Sequence, residues 1–338
     1  MSSAEFSAPT AFGRLNVNAM RPFVNAQGEA FVANGDEAIR ANAGLLSYDE
    51  WKQIDREAVK IATDRLTGIA DLQSRGLTHN LGGLGVTISQ FEKMSGMSKA
   101  DLSMSGVTSG EKDDQAFEQS YVPVPIIHKD FNLNIRRLEA SRRMGESLDM
   151  TGVAEASRLV AERSEDLLFA GSTIKVEGQP IYGYFTHPDR NTLTMATAWD
   201  AVAAGSNEDI INDVSEALKK ARAANHYGPF IVYVPGKYEA KLDEDYRDLD
   251  QRTVRQRIEQ LSGVEMVRVS DRIVGDNVAL VQMDRNTVDL AIGQDVVPVQ
   301  WSAEGGMVEH FKVMAAWAPR VKSDFNQKSG IVQIGTGV

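Results

Sequence analysis

The chain has 338 residues, 42% of them hydrophobic, and a formal net charge of −11. That length exceeds one ordinary compact core and implies two or three core units, while the hydrophobic fraction excludes a largely disordered chain. The acidic balance excludes a tight, sequence-reading nucleic-acid binder, which needs a basic face for the phosphates. The absence of cysteine removes disulfides, thiolate metal sites and a cysteine nucleophile.

Residues 1–46 are rich in Ala, Asn, Ser and Gly, with Phe6, Phe12, Leu15, Val17, Phe23 and Phe31 spaced among them. One reading is a disordered tail. The other, favoured by the aromatics, is an extended arm laid on a neighbouring surface. The start lacks a basic region followed by an apolar one, so no targeting segment is expected. No run approaches the roughly 18 apolar residues of a membrane span. The expectation is a chain that is cytosolic where it is made.

The first firm helix opens at "SYDEWKQIDREAVKIATDRL", where Ser47 and Glu50 have capping-box spacing and Trp51, Ile54, Ala58, Ile61 and Ile69 fall near one face. A Gly- and Ser-rich stretch follows over 76–120 and reads as a long exposed excursion, with "VTISQF" as one arm of a hairpin. Compact domains rarely carry so long a loop without a use for it. "YVPVPIIHKDFNLNI" reads as extended chain, and Pro123 and Pro125 assign it to an edge. "SLDMTGVAEASRLVAERSEDLLFAG" is a strong helix that Gly171 is placed to stop.

From residue 196 the pattern changes. "SNEDIINDVSEALKKARAANHYG" is a second strong helix, acidic in its first turn and carrying Lys219, Lys220 and Arg222 near its end, as the helix dipole favours. "PFIVYVP", "VEMVRVS" and "NVALVQMD" are strands, and "TVRQRIEQL" is a helix, giving an α/β unit of about a hundred residues. "HFKVMAAWAPRVK" alternates as a half-buried strand, and "SGIVQI" closes the chain.

No chemistry emerges from the motifs. "GGLG" at 82–85 lacks the strand–turn–helix context of a dinucleotide fingerprint. Ser109 and Lys112 form a nominal Ser-x-x-Lys without its companion motifs. The acidic "KLDEDYRDLD" lacks the Gly and Glu that fix a calcium loop. The five histidines, at 79, 128, 187, 226 and 310, share no metal-binding spacing. His310 and Glu309 are strand neighbours that point to opposite faces. Gly293-Gln294-Asp295 is a turn signature that makes Asp295 a structural corner rather than a catalytic acid. No catalytic, cofactor-binding or metal residue is expected, and no cofactor.

Several segments, in order, resemble the encapsulins, the linocin-type shell proteins. The opening helix with Trp51, Ile54, Asp55 and Ala58 is similar to that family's first helix. "VAERSEDLLFAG", with Asp166, Leu167, Leu168, Phe169 and Gly171, resembles the end of its spine helix. "GPFIVYVPGKYEAKL", after Gly228 and Pro229, resembles one of its strands, and "LAIGQDVVPVQW" its Gly-Gln-Asp segment. The resemblance covers about 48–334. It implies an α+β Hong Kong 97-type capsid fold, shared with major capsid proteins of tailed bacteriophages.

The implied division is an amino-terminal arm (1–46), a peripheral-domain first helix (47–81), an extended loop (82–135), the spine helix with peripheral domain (136–195), an axial domain (196–292) and peripheral-domain C-terminal strands (293–338). The front segment and the long excursion depart from the encapsulin pattern and match the lacing segments of phage capsid proteins. The resulting expectation is a major capsid protein whose partners are other copies, as hexamers and pentamers of a closed icosahedral shell. It would enclose double-stranded DNA without sequence-specific binding, touch no membrane, meet a portal and scaffolding or decoration proteins, be assembled in the host cytoplasm and reside in the virion. The alternative is an encapsulin nanocompartment enclosing a cargo enzyme, whose peptide would dock beside the first helix. Lys112 is a candidate loop lysine for subunit crosslinking, with no partner that the sequence places.

Overall fold

The computed structural model describes residues 22–24, 30–34, 37–40, 48–94, 102, 104, 117–134, 136, 151–176, 178–202, 207–247, 250–303, 308–324 and 326–336. Within the expected arm, β1 (Pro22–Val24), β2 (Ala30–Asn34) and β3 (Glu37–Arg40) form an antiparallel meander. Ser47, Ser109 and Lys112 lie outside the described residues.

Helix α1 (Tyr48–Arg65) buries Ile54 and Ala58, one turn apart, completely. α2 (Gly68–Ser74) and the short β4 (Thr78–Asn80) follow. β5 (Ile88–Met94) and β6 (Phe117–Pro123) pair antiparallel as the hairpin of the excursion. β7 (Ile126–Asn134) has left the excursion and joins a sheet as its edge strand. α3 (Thr151–Ala170), twenty residues long, buries Val153, Ala156, Val160, Leu167 and Leu168. It stops at Gly171, whose φ of +72° suits glycine. An added Cβ there would sit 2.4 Å from the Ile181 carbonyl oxygen and 2.6 Å from the Gly183 nitrogen. The chain then forms a small ribbon of β8 (Ser172–Val176) and β9 (Gln179–Ile181).

The second sheet starts with β10 (Asn191–Thr194). α4 (Glu208–Ala223) buries Ile210, Val214, Ala217, Leu218 and Ala221 along one stripe. β11 (Phe230–Pro235), α5 (Glu239–Leu242), β12 (Asp245–Arg247) and β13 (Asp250–Thr253) lead to α6 (Val254–Glu259), which opens on a Thr253–Gln256 capping box. β14 (Val264–Ser270) and β15 (Val278–Gln282) complete this stretch. The long β16 (Val288–Ala303) and β17 (Val308–Val321) pair antiparallel, and β18 (Ile331–Gly335) ends the fold.

Two main sheets result. One has the order β4-β16-β17-β7 and the other β10-β18-β15-β11-β14. In the second, every residue of β11, β15 and β18 is buried, which explains their nearly continuous apolar sequences. One face packs on α4 and α6 through Val232, Val234, Leu280 and Ile334. The other face presents Ile231, Tyr233, Ala279 and Val281 to a core shared with α3, α2 and the first sheet. The first sheet is in turn covered on one face by α1 and α3, with Phe131 and Phe311 stacked 5.1 Å apart. Gly152 admits this packing, since a Cβ there would lie 2.8 Å from the Phe131 ring.

Three expectations are revised. Gly293-Gln294-Asp295 is no turn: it is a double register slip inside β16, between Ile292 and Gln294 and between Gln294 and Val297. Glycine fits there because the site faces the Gly83 carbonyl oxygen at 3.3 Å and Ala316 at 3.4 Å. The boundary expected at 292/293 therefore falls within a strand. The C-terminal segment 293–338 also divides, because β18 inserts between β10 and β15, where its backbone groups are satisfied on both sides. Finally, residues 126–134 of the expected loop 82–135 pair along β17 from Val308 to Ala316, which buries Phe131 and Leu133 partway.

Candidate functional site

The most constructed polar site lies where the hairpin leaves the body. Pro319, Arg320 and Val321 end β17 and Lys322 follows it; alternation puts Arg320 on the face away from α1 and α3, against the hairpin. Its Nε and Nη2 donate to the two carboxylate oxygens of Asp289 at 2.5 and 2.6 Å. Nη1 reaches Ser89 Oγ at 3.2 Å and the Gln90 carbonyl oxygen at 3.5 Å, both on β5. Lys322 Nζ adds a third donor to Asp289, at 2.8 Å, and also donates to the Arg285 carbonyl oxygen at 2.6 Å. The side chains of Arg320 and Asp289 are only 5% and 3% exposed. A pair so deep gains little net energy over an apolar substitute, but a broken one leaves a bare buried charge. Its effect is to fix the direction in which the hairpin departs. Tyr121, paired with Gln90 at the root, is 39% exposed, and Phe117, farther out opposite Met94, is 59% exposed.

Beside this root is a cleft of about 420 Å³ between the hairpin, the 179–189 turn and the 319–327 segment. Lys93 of the hairpin faces Asp189 at 3.5 Å, and Ser323 Oγ donates to Asp189 at 2.5 Å. His187, 6% exposed, accepts the Asp189 N–H on Nδ1 at 3.2 Å and meets the Tyr182 ring edge-on. Burial pushes its imidazole down to about 4, with Asp189 partly opposing that shift.

A second junction ties α3 to the elements around it. The wholly buried Glu165 accepts the backbone N–H groups of Thr67, Gly68 and Ile69 at 2.9, 3.2 and 2.9 Å. Burial nonetheless pushes its carboxyl up to about 7, against those three amides and with Asp71 nearby. Gly68 allows the approach, since a Cβ there would lie 2.6 Å from Leu168. Asp71 accepts from Tyr233 and Arg268, each at 3.1 Å. Arg272 grips Asp166 through two bonds of 2.8 Å, and Arg75 grips Glu265 at 2.7 and 2.8 Å. These bonds tie the long helix to the start of α2, and both helices to the β11–β14 side of the five-stranded sheet.

The residues weighed in the sequence are dispersed. Asp295 is exposed on the β16 irregularity, and "GGLG" forms the connection between β4 and β5. His310 stacks on Trp301 at 5.4 Å, while its neighbour Glu309 is buried on the opposite face. In the acidic stretch, Lys241 is buried and donates to the Val202 carbonyl oxygen and Glu244. Among the described residues, no three His, Asp or Glu side chains converge as a metal site. No described helix is long and apolar enough to cross a membrane.

Residues 40–334 match the family described as "Family of unknown function (DUF6260)". The Type 1 encapsulin shell protein EncA of Myxococcus xanthus is 26% identical over 283 residues, which span 82% of this chain and 90% of that protein. Among solved structures, the virus-like particle from Pyrococcus furiosus aligns with a TM-score of 0.62 at 18% identity, over 84% of this chain and 98% of its own. The capsid of Myoviridae phage XM1 aligns with a TM-score of 0.60 at 12% identity, over 79% and 91%. The fold is the α+β Hong Kong 97 type, and the sequence is similar to encapsulin shell proteins.

Proposed function

The chain belongs to the family of unknown function DUF6260, and we propose that it builds a closed protein shell by self-association. The observation that carries this reading is the hairpin: a two-stranded arm rooted by Arg320 in the core, with Tyr121 exposed at the root and Phe117 exposed beyond it. Such an arm gains its burial from a neighbouring copy, and many modest contacts repeated by symmetry close a container. In this reading the four-stranded sheet with α1 and α3 is the peripheral domain. The five-stranded sheet with α4 and α6 is the axial domain.

The finer proposal is a phage major capsid protein, a structural tile rather than an enzyme. It would assemble as hexamers and pentamers in the host cytoplasm around double-stranded DNA, with a portal and scaffolding or decoration proteins as partners. The 23-residue spacing between Met94 and Phe117 favours this, as a long excursion suits lacing between subunits. The acidic chain also suits a wall to which packed DNA should not adhere. The second reading, a cargo-enclosing nanocompartment, is favoured by the 26% identity to the Myxococcus xanthus shell protein. Expression of the chain with its genomic neighbours separates the two. Particles that package nuclease-protected DNA support the phage head, and particles that retain a co-expressed enzyme support the compartment.

A further inference from the structure

The cleft beside the hairpin root contains a hydrogen-bond donor that the described fold does not use. His187 lines the cleft, is 6% exposed, and stands edge-on to the Tyr182 ring at a centroid distance of 5.6 Å. Its Nδ1 accepts the Asp189 N–H, so the proton of the neutral ring sits on Nε2. Burial favours that neutral form. Among the described residues Nε2 has no hydrogen-bond partner, and it is not one of the unpartnered atoms sealed from solvent. What surface it has therefore opens on the cleft. An N–H in so buried a residue is costly to leave bare, and an acceptor in the cleft removes that cost.

The rest of the lining decides which acceptor fits. Lys93 is the only lysine or arginine there, and it meets Asp189 at 3.5 Å. Glu118 and Asp324 add two more carboxylates. Asp189 Oδ2 takes Ser323 and Lys93, and Asp324 Oδ1 takes the Lys328 N–H, which leaves one oxygen of each aspartate without a bond among the described residues. An anion in the cleft would meet three carboxylates against one ammonium. A cation would meet that ammonium and the His187 N–H, and no three His, Asp or Glu side chains among the described residues converge on a metal. An apolar ligand would bury these polar groups unpaired.

A neutral ligand built of hydroxyls meets none of these conflicts, because each hydroxyl both donates and accepts. The Tyr182, Tyr121 and Phe91 rings supply apolar faces for the C–H side of such a ligand. The volume, about 420 Å³, lies within the range of small-ligand pockets, roughly 300–1,000 Å³. We propose that this cleft binds a neutral sugar unit, with a sugar oxygen accepting from His187 Nε2, hydroxyls donating to the carboxylates of the lining, and the ring's C–H face set against tyrosine. The site is built from three separate segments, the hairpin, the 179–189 turn and the 319–327 segment, so it exists only while the hairpin is rooted.

The test is saturation-transfer NMR on the full-length chain, with glucose, galactose, mannose and N-acetylglucosamine offered singly and the assembly state followed by light scattering. Transfer to the ring C–H protons of at least one sugar is expected. His187→Phe removes the donor and keeps a ring. Tyr182→Leu removes the aromatic face at a half-buried position, and so serves if His187→Phe fails to fold. Each should weaken the affinity by about tenfold, the worth of one hydrogen bond or one ring contact. Transfer to none of the four sugars overturns the assignment, as does transfer that both variants leave unchanged. Displacement of the sugar by sulfate or spermidine assigns the cleft to a charged ligand and also overturns it. So does transfer to the dispersed chain that vanishes on self-association, because a neighbouring copy then covers the cleft.

Discussion

Arg320 holds both oxygens of Asp289 at 2.5 and 2.6 Å inside the core, and spends its remaining nitrogen on β5, 230 residues away in sequence. One guanidinium thus joins the C-terminal strand pair to the root of the hairpin. The consequences of that bond, and of the neighbouring junctions, are open to measurement.

Replacing Arg320 by Met leaves Asp289 buried with Lys322 as its sole cation. Breaking such a pair costs roughly 3–5 kcal/mol, so Arg320→Met should lower the urea midpoint sharply. The double variant Arg320→Met with Asp289→Leu should recover most of the loss, because the one charge left, Lys322, is partly exposed and keeps the Arg285 carbonyl oxygen. Full stability of the single variant would contradict the assigned role.

Gly171→Ala combines a left-handed backbone with a Cβ 2.4 Å from a carbonyl oxygen. The loss should exceed about 1 kcal/mol, read as a lower thermal midpoint. Gly178→Ala serves as the control: its φ of +83° is also left-handed, but no atom lies within 4 Å of an added Cβ. The difference between the two isolates the close approach at the end of α3.

His187 is held neutral by burial, with its imidazole near 4 against 6.5 when unfolded. The unfolded chain therefore binds the extra proton first. The stability due to His187 is complete above pH 6.5 and is lost as pH falls from there toward 4. His187→Asn keeps an acceptor for the Asp189 amide and should flatten the unfolding midpoint across that window. An unchanged pH slope would refute the assignment.

Glu165 has the opposite sign. Its carboxyl lies near 7 in the fold against 4.5 outside it, so its contribution is complete below pH 4.5 and declines as pH rises through 7. Glu165→Gln removes that dependence. It also sets an NH₂ group against backbone donors, which costs about 1–3 kcal/mol. Between pH 4.5 and 6.5 the two groups pull in opposite directions, so the separate variants expose slopes that the wild type partly cancels.

The helices were legible because their signals are local. Ile54 and Ala58 share a face, α4 follows the dipole, and Gly171 ends α3 as its position in the sequence indicates. The Gly293–Asp295 corner misled because turns and bulges draw on the same residues. The position of β18 depends on which strands flank it, information that no local window contains. Arg320 and Ser89 are 231 residues apart, and no spacing rule connects them. Glu165 did carry a signal: at helical spacing it is in line with the buried Ala161 and Leu168, so an acid on the apolar stripe marked a buried carboxylate. The absence of motif chemistry, together with several weak resemblances in the right order, carried the rest of the reading.

The central claim is that this chain tiles. Electron microscopy of the full-length protein expressed alone, repeated with its scaffolding or portal neighbours, tests it most directly. The account predicts closed icosahedral particles, lost when Phe117 and Tyr121 on the hairpin are both changed to Ser while the fold is kept. Monomers that persist at high concentration and with every assembly partner would contradict it.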